Sequence, residues 1–479
     1  MNLTGTRSTA AIDVGQMLDE GPFTAFQKTA VLLAALSIVM DGFDGQLIGF
    51  AIPVIIKEWG VSRGAFAPVV AAGLIGMAIG SASAGIFADR FGRRWAVISS
   101  VLVFGTATCA IGLAPDLLTI ACLRFIAGLG IGGALPTSTT TTAEFTPLRH
   151  RTLAVTATIV CVPLGGMLAG LFAGAVLPAQ GWRALFFIGG SIPLALSLLL
   201  LFGLPESPRF LVLRPARWGE LSRLLARMSR ASPANATFSD RVEQRVEQRK
   251  GVAALFEAGL ARDTIAIWCA FFMCLLAVYS AFSWLPTMLA SEGLDVTVAA
   301  SGLTAYNMGG VFGALFCAVA IARFGSRWPL LACCAGAAAS AFVIQQFGAK
   351  DHTSLLIAGL GAHGLFVNAV QSTMFALCAF VYPTAVRATG TASALAFGRF
   401  GAILSAFAGA AVITSGGASA YLVMLGGAMI LVFVALAAVR RHIPPLAKPP
   451  LAKPPLAKPP VAKPQAAAVA IPASDPQRS

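Results

Sequence analysis

The sequence predicts an all-α polytopic membrane protein with twelve transmembrane helices in two pseudo-symmetric six-helix bundles. Three observations predict it. Of 479 residues, 57% are hydrophobic and 11% charged, whereas a soluble domain is nearer one quarter charged. The deficit is concentrated in apolar tracts, each long enough for a helix to cross a hydrocarbon core of about 30 Å. The charges between tracts are biased to one side, and the two halves of the chain share short repeats.

In chain order the tracts fall near 30–56, 66–88, 95–114, 117–141, 153–177, 184–203, 264–290, 298–322, 328–349, 353–382, 391–415 and 419–439. The 49 glycines suit such helices, because small residues let apolar helices approach closely. With twelve spans, both termini lie on one side. That side receives Arg90, Arg93 and Arg94, then Arg149 and Arg151, then eleven Lys/Arg between 204 and 263. With Arg323, Arg327, Arg387 and the terminal basic residues it holds 28 of the 34. The opposite side has Lys57, Arg63, Arg183 and Lys350. Lys and Arg accumulate in cytoplasmic loops, so both termini and the long loop are expected in the cytoplasm. The net charge of +14 is therefore an orientation signal, and nucleic acid is not an expected partner.

Five regions are expected: a cytoplasmic N-terminal segment 1–29, a first bundle 30–203, a cytoplasmic loop 204–263, a second bundle 264–440 and a tail 441–479. The first segment is too polar for a signal peptide. Within the loop, 239–250 (SDRVEQRVEQRK) reads as a short charged helix. The tail repeats PPLAK, and proline at that density favours an extended, disordered chain. The bundles echo each other in sequence. Ile126-Ala-Gly-Leu-Gly130 recurs as Ile357-Ala-Gly-Leu-Gly361, and Arg90-Phe91-Gly92 as Arg323-Phe324-Gly325. Related halves of this kind are found in secondary transporters.

The ionisable groups left inside the spans are the candidates for function. Asp41 and Asp44 interrupt the first span, in Met40-Asp41-Gly42-Phe43-Asp44-Gly45. Asp41 lies about 17 Å from the span's start, close to the midplane. A charge there costs several kcal/mol unless it is neutralised, paired or hydrated. The functional reading is a protonatable, coupling pair; the structural one is a fixed salt bridge. Which aspartate carries the proton stays open. Arg124, deep in span 4, reads as a counter-charge to an anionic substrate or to a span 1 aspartate, or as a packing ion pair. Arg399, about 12 Å into its span, either serves the same end or snorkels. His363 is a substrate or proton contact, or a satisfied core histidine. Tyr306, Asn307, Asn368 and Gln371 are polar side chains in apolar helices that need partners, and Trp284 is a weaker aromatic candidate. Glu144 stands where span 4 meets the cytoplasm.

Other chemistries are excluded. The nine cysteines lack metal-ligand spacing with histidines, so no metal is expected. The run Arg124 to Gly133 (RFIAGLGIGG) lacks the strand and the Lys-Ser/Thr of a phosphate loop. Its glycines, like Gly166, Gly170 and Gly174, read as helix-packing stripes. With no nucleotide-binding domain, no cofactor and no catalytic residue, the chain is not expected to be an enzyme, and a gradient must supply the driving force.

Several motifs resemble a known family. Gly85-x-x-x-Asp89-Arg90-x-Gly92-Arg93-Arg94 resembles the loop motif of the major facilitator superfamily, and Arg124-x-x-x-Gly128-x-Gly130-x-Gly132 its span 4 motif. Pro205-Glu206-Ser207-Pro208-Arg209 is similar to a sequence of its sugar and organic-ion branches. Asp41-Gly-Phe-Asp44 and Tyr382-Pro-Thr-Ala-Val-Arg387-Ala-Thr-Gly390 resemble the aromatic acid:proton symporters, whose typical members import 4-hydroxybenzoate or protocatechuate. The resemblance covers roughly 25–440 and implies the major facilitator fold.

It further implies that Asp41 and Asp44 act in coupling and that Arg124, Arg387 and Arg399 serve transport. By the same resemblance Asp89 acts in conformational switching, and Arg90, Arg93, Glu144 and Arg387 are grouped with it. Two positions depart from the pattern: Ala322 replaces the aspartate in the second loop, so any latch is asymmetric, and Ala385 stands where the family writes an acidic residue or histidine. The resulting expectation is a monomeric, proton-coupled importer of a small aromatic carboxylate in a bacterial inner membrane, in contact with lipid. The alternatives are a carrier of another organic anion or a sugar, and a ligand sensor that does not transport.

Overall fold

Three of the long helices begin at a side-chain cap. Thr24 and Gln27 form a reciprocal capping box, in which the Gln27 N–H donates to the Thr24 hydroxyl at 3.4 Å and the Thr24 N–H to Gln27 Oε1 at 3.0 Å. Ser62 accepts from the Ala65 N–H at 3.1 Å and Asp116 from the Thr119 N–H at 2.7 Å, each opening the next apolar run. Such caps satisfy amide groups that the first turn leaves free.

The computed structural model describes residues 12–228, 237–240, 252–257, 259–346, 352–383 and 386–445. The helices are α1 (Val14–Glu20), α2 (Ala25–Trp59), α3 (Arg63–Phe91), α4 (Arg93–Ile111), α5 (Leu117–Phe145), α6 (Leu148–Gly203), α7 (Pro208–Val212) and α8 (Trp218–Arg227). They continue as α9 (Ala261–Ser291), α10 (Val296–Phe324), α11 (Arg327–Gln345), α12 (Thr353–Val381) and α13 (Arg387–Ala438). Most of the helix expected at 239–250, the tail beyond 445 and Ala385 lie outside the described residues.

Among the described residues ten helices are long and apolar enough to cross a membrane, against twelve tracts in the sequence. α6 runs through two expected spans and kinks at Gly181 (φ 78°, ψ 179°), and α13 does the same at Gly417 (φ 62°, ψ −154°).

The packing is pseudo-symmetric. α2 packs on α6 as α9 packs on α13, α3 on α5 as α10 on α12, and α4 on both α5 and α6 as α11 on both α12 and α13. The close pairs use the same device twice. A Cβ at Gly76 or Gly80 of α3 would collide with the backbone of α5 at Phe125 or Leu129, and one at Gly309 or Gly313 of α10 with the backbone of α12 at Gly361 or Leu365. Glycines four apart make these approaches possible. The halves meet along α2–α9, α6–α10 and α3–α13.

On the face that carries the loops, β1 (Ile12–Asp13) pairs in parallel with β2 (Phe238–Ser239). α1 sits beside them in an apolar cluster with Phe145, Phe210 and Leu225. Asp19 bridges Arg151 and Arg209, the latter at 2.8 Å, and Arg209 reaches Asp240 at 3.3 Å. The N-terminal segment and the central loop are thereby tied to the first half.

Candidate functional site

The site is built around the interrupted first span. Gly42 brings α2 against the α6 backbone at Val162, and Gly165 of α6 packs on the α2 backbone at Val39. This approach sets the exit direction of Asp41, which lines a cavity of ≈ 90 Å³. Side chains of both halves wall it, from α2, α3, α5 and α6 and from α9, α12 and α13.

Four buried charges define its electrostatics: Asp41 is 7% exposed, Asp44 0%, Arg124 5% and Arg399 8%. Asp41, Arg124 and Arg399 line the cavity, and Asp44 is set behind it. The positive charge acting on Asp41 is Arg399, from the other half, and the one acting on Asp44 is Arg124, with Thr108 beside it. Among the described residues no ion pair within 4.0 Å joins any of the four. Both Asp44 oxygens and one Asp41 oxygen lack a hydrogen-bond partner, as do Nε and Nη1 of Arg124 and Nε of Arg399. What Arg124 has is a long bond to the Gly45 carbonyl, 3.4 Å from Nη2. Arg399 Nη1 donates to the Tyr279 hydroxyl at 2.7 Å and lies 2.7 Å from Met77 Sδ, with its guanidinium 5.6 Å from the Tyr279 ring centroid. Buried charges left this open are costly, and they are arranged to receive a proton, a cation or an anion.

Of the uncharged candidates, Asn368 and Gln371 line the cavity, and Asn368 gives one N–H to the Gly364 carbonyl at 2.9 Å. The others lie outside that lining. Asn307 is locked to Gln46, donating to it at 2.7 Å and accepting from it at 3.1 Å. Tyr306 is fully buried with its ring 6.0 Å from that of His363. His363 Nδ1 lies 3.0 Å from both the Ser340 hydroxyl and the Ala337 carbonyl, the environment of a core histidine. Trp284 is buried against Gly409.

The switching candidates separate into two places. Arg93 meets Asp89 at 2.7 Å and Glu144 at 3.3 Å, at the loop-bearing ends of α3, α4 and α5. Arg90 is exposed there, its carbonyl accepting from Arg214 at 2.8 Å. Arg387 stands apart at the start of α13 and donates to the Tyr382 carbonyl at 3.3 Å. The organiser of the first group is a residue that sequence reading quoted without assigning it. Glu206 Oε1 accepts from the backbone N–H groups of Arg93 at 2.8 Å, Arg94 at 3.2 Å and Ser207 at 2.9 Å. Burial pushes its carboxyl up from the ordinary value, and these N–H donors oppose the shift. In the second half, where Ala322 replaces the aspartate, the matching turn is held by Ser326 instead: its N–H donates to the Ile443 carbonyl at 2.8 Å and its Oγ accepts from the Ile443 N–H at 2.9 Å. Tyr279, Met77 and Gln46 were also missed, since nothing in an isolated helix marks a Tyr, a Met or a Gln as facing the cavity.

Among the described residues no group of three His, Cys, Asp or Glu side chains is placed to hold a metal ion. Buried, unpaired charges walling a cavity between two related helical halves are the construction of a secondary transporter. Comparison with known proteins agrees. Residues 30–440 match the family model described as sugar (and other) transporter. The chain is 36% identical to the gallate transporter of Pseudomonas putida over 409 residues, 85% of this chain and 90% of that one. It is 35% identical to the 4-hydroxybenzoate transporter PcaK of Acinetobacter baylyi over 407 residues, 84% and 89% of the two chains. Among solved structures it resembles the partially occluded, inward-open xylose transporter XylE of E. coli, with a TM-score of 0.71 at 18% identity over 88% of this chain and 99% of that one; at that identity the likeness shows the fold alone. The chain belongs to the sugar (and other) transporter family of the major facilitator superfamily, among its aromatic acid:proton symporters.

Proposed function

We propose that this chain imports an aromatic carboxylate, such as gallate, protocatechuate or 4-hydroxybenzoate, together with protons across a bacterial inner membrane. One observation carries the reading: Asp41, Arg124 and Arg399 wall a single cavity shared by both halves, with no ion pair among them. In an empty cavity these charges resist dehydration. With Asp44 set against Arg124, a proton on Asp41 leaves one positive charge unmatched, and a single substrate carboxylate offsets it. Closure around the loaded site then costs less than closure around a half-loaded one. Coupling follows, because with Asp41, Asp44, Arg124 and Arg399 counted together the proton alone leaves one positive charge in excess and the anion alone one negative. Tyr279, Phe282 and Phe375 supply apolar walls for a ring, and Asn368 and Gln371 supply polar partners for ring hydroxyls.

The halves rock about this site. The kinks at Gly181 and Gly417 support counting α6 and α13 as two spans each, giving twelve, in bundles over 30–203 and 264–440. Asp44 shares in coupling through Arg124. Asp89 and Glu144, joined through Arg93, which Glu206 anchors by its backbone, hold one access state together with Arg90, and Arg387 acts at the second half. The relatives that are gallate and 4-hydroxybenzoate transporters support the substrate class.

The test is uptake of labelled 4-hydroxybenzoate into vesicles containing the purified chain, with an imposed pH gradient, with a protonophore, and against a panel of competing acids. Uptake that rises with the gradient, collapses with the protonophore and is displaced by aromatic acids is expected. Uptake indifferent to the gradient rejects symport, and saturable binding without translocation rejects transport.

A further inference from the structure

A second cavity, unrelated to the first, opens on the loop-bearing face. It measures ≈ 430 Å³ and lies where the start of α4, the end of α6 and α8 meet. Arg94, Arg223 and Arg227 line it together with Glu206 and Glu220. The two acids are engaged through one oxygen each, and Glu206 Oε2 is buried with no partner. Glu206 Oε1 takes the three backbone N–H groups described above, and Glu220 Oε2 takes Nε and Nη2 of Arg217 at 3.0 and 2.8 Å.

The three arginines are not matched in the same way. Among the described residues none of them forms an ion pair. Arg94 donates from Nη2 to the Leu201 carbonyl at 2.6 Å, and its Nε is buried with no partner. Arg223 Nε donates to the Gly219 carbonyl at 3.3 Å, and the Arg227 guanidinium lies 4.6 Å from the Phe26 ring centroid. Among the described residues three guanidinium groups therefore line one groove with donors to spare and no ion pair, beside a single buried, unpartnered carboxylate oxygen, Glu206 Oε2.

The rim indicates the source of the missing anion. Phe202, next to last in a membrane-crossing helix, is 82% exposed, and Trp95 at the start of α4 is 47% exposed. α8 is amphipathic: Leu221, Leu224 and Leu225 are buried, while Arg223 and Arg227, one turn apart, are exposed. A soluble anion has no use for an apolar rim at the end of a membrane span. A phospholipid uses both, with its phosphate among the arginines and its chains along Phe202. We propose that this groove binds the headgroup of an anionic phospholipid of the cytoplasmic leaflet. Basic pockets beside membrane helices on that side suit such headgroups, and multiple N–H donors suit a phosphate. The site abuts Glu206, so the bound lipid sits against the group that joins Arg93 and Arg94.

The test uses the purified full chain, titrated with phosphatidylglycerol or with phosphatidylcholine of the same acyl chains and read by native mass spectrometry. Phosphatidylglycerol is expected to be retained in preference. Arg223→Gln with Arg227→Gln is expected to lower that retention by about five-fold per arginine, with an unchanged thermal midpoint. Should the double variant fail to fold, Arg223→Gln alone carries the test. Equal retention of the two lipids, undiminished retention in the folded variant, or displacement of the lipid by millimolar inorganic phosphate overturns the proposal.

Discussion

Asp41 and Asp44 lie three positions apart, and the structure gives them different neighbours. Asp41 opens on the cavity and feels Arg399 across the interface between halves, whereas Asp44 is enclosed within the first half beside Arg124 and Thr108. Asp41→Asn is therefore expected to cut gradient-driven accumulation by roughly tenfold or more, since one charge in a span weighs several kcal/mol. Exchange of labelled for unlabelled substrate should survive, because the loaded site is already neutral there. If both assays fall together, Asp41 is not the coupling group. Tyr279 offers a second probe. Tyr279→Phe removes the acceptor that holds Arg399 at 2.7 Å. Stranding a buried charged donor costs about 1–3 kcal/mol, so the half-saturating substrate concentration should rise roughly tenfold while uptake stays proton-driven. An unchanged value would show that Arg399 needs no such support. The charges were legible in the sequence because an Asp or Arg in an apolar run is conspicuous. Tyr279 and Met77 were not, because both are ordinary core residues and only the rotation of their helices turns them to the cavity. The same limit explains His363 and Tyr306, which are polar enough to stand out yet face neighbouring helices.

At the level of elements, the backbone repeats more faithfully than the side chains. Gly92 (φ 106°) and Gly325 (φ 75°) occupy matching turns after α3 and α10, and Gly181 and Gly417 matching kinks in α6 and α13. The kink geometry is a region of φ/ψ open in practice to glycine alone. Space is not the constraint at Gly181, where an added Cβ would touch nothing within 4 Å. Gly181→Ala should therefore destabilise by about 1–3 kcal/mol through backbone strain alone. Gly174→Ala, seven residues earlier in the same helix and equally free of contacts, should instead stabilise by roughly 0.5–1 kcal/mol, as alanine does in a helix. Thermal unfolding in detergent reads both, and equal effects would refute the assignment of the kink to Gly181. The tract boundaries near 177–184 and 415–419 were legible from hydropathy. The sharpness of the kinks at Gly181 and Gly417 was not, because a glycine's φ and ψ are set by how the flanking segments pack.

Across the whole molecule, the two halves must separate on one side of the cavity and then on the other, so contacts joining them must be strong enough to hold a state and weak enough to release it. Gln46 of α2 and Asn307 of α10 form such a contact. They exchange hydrogen bonds of 2.7 and 3.1 Å, with exposures of 2% and 0%, and an added Cβ at Gly166 would strike both. Two neutral amides satisfy each other without the desolvation burden of an ion pair, and each finds water when the halves part. Truncating one partner strands the other, at about 1–3 kcal/mol. Asn307→Ala should thus weaken this state, and Gln46→Ala with Asn307→Ala should cost less than the sum of the two single changes. The shift in population can be read directly. Thr304 packs on Gly170 of α6, one helical turn from Asn307. In a chain freed of its native cysteines, Thr304→Cys should react faster with an impermeant thiol reagent added outside cells when Asn307→Ala is present. Because opening that side requires the pair to break, an unchanged labelling rate would mean that the amides pack the halves without gating them.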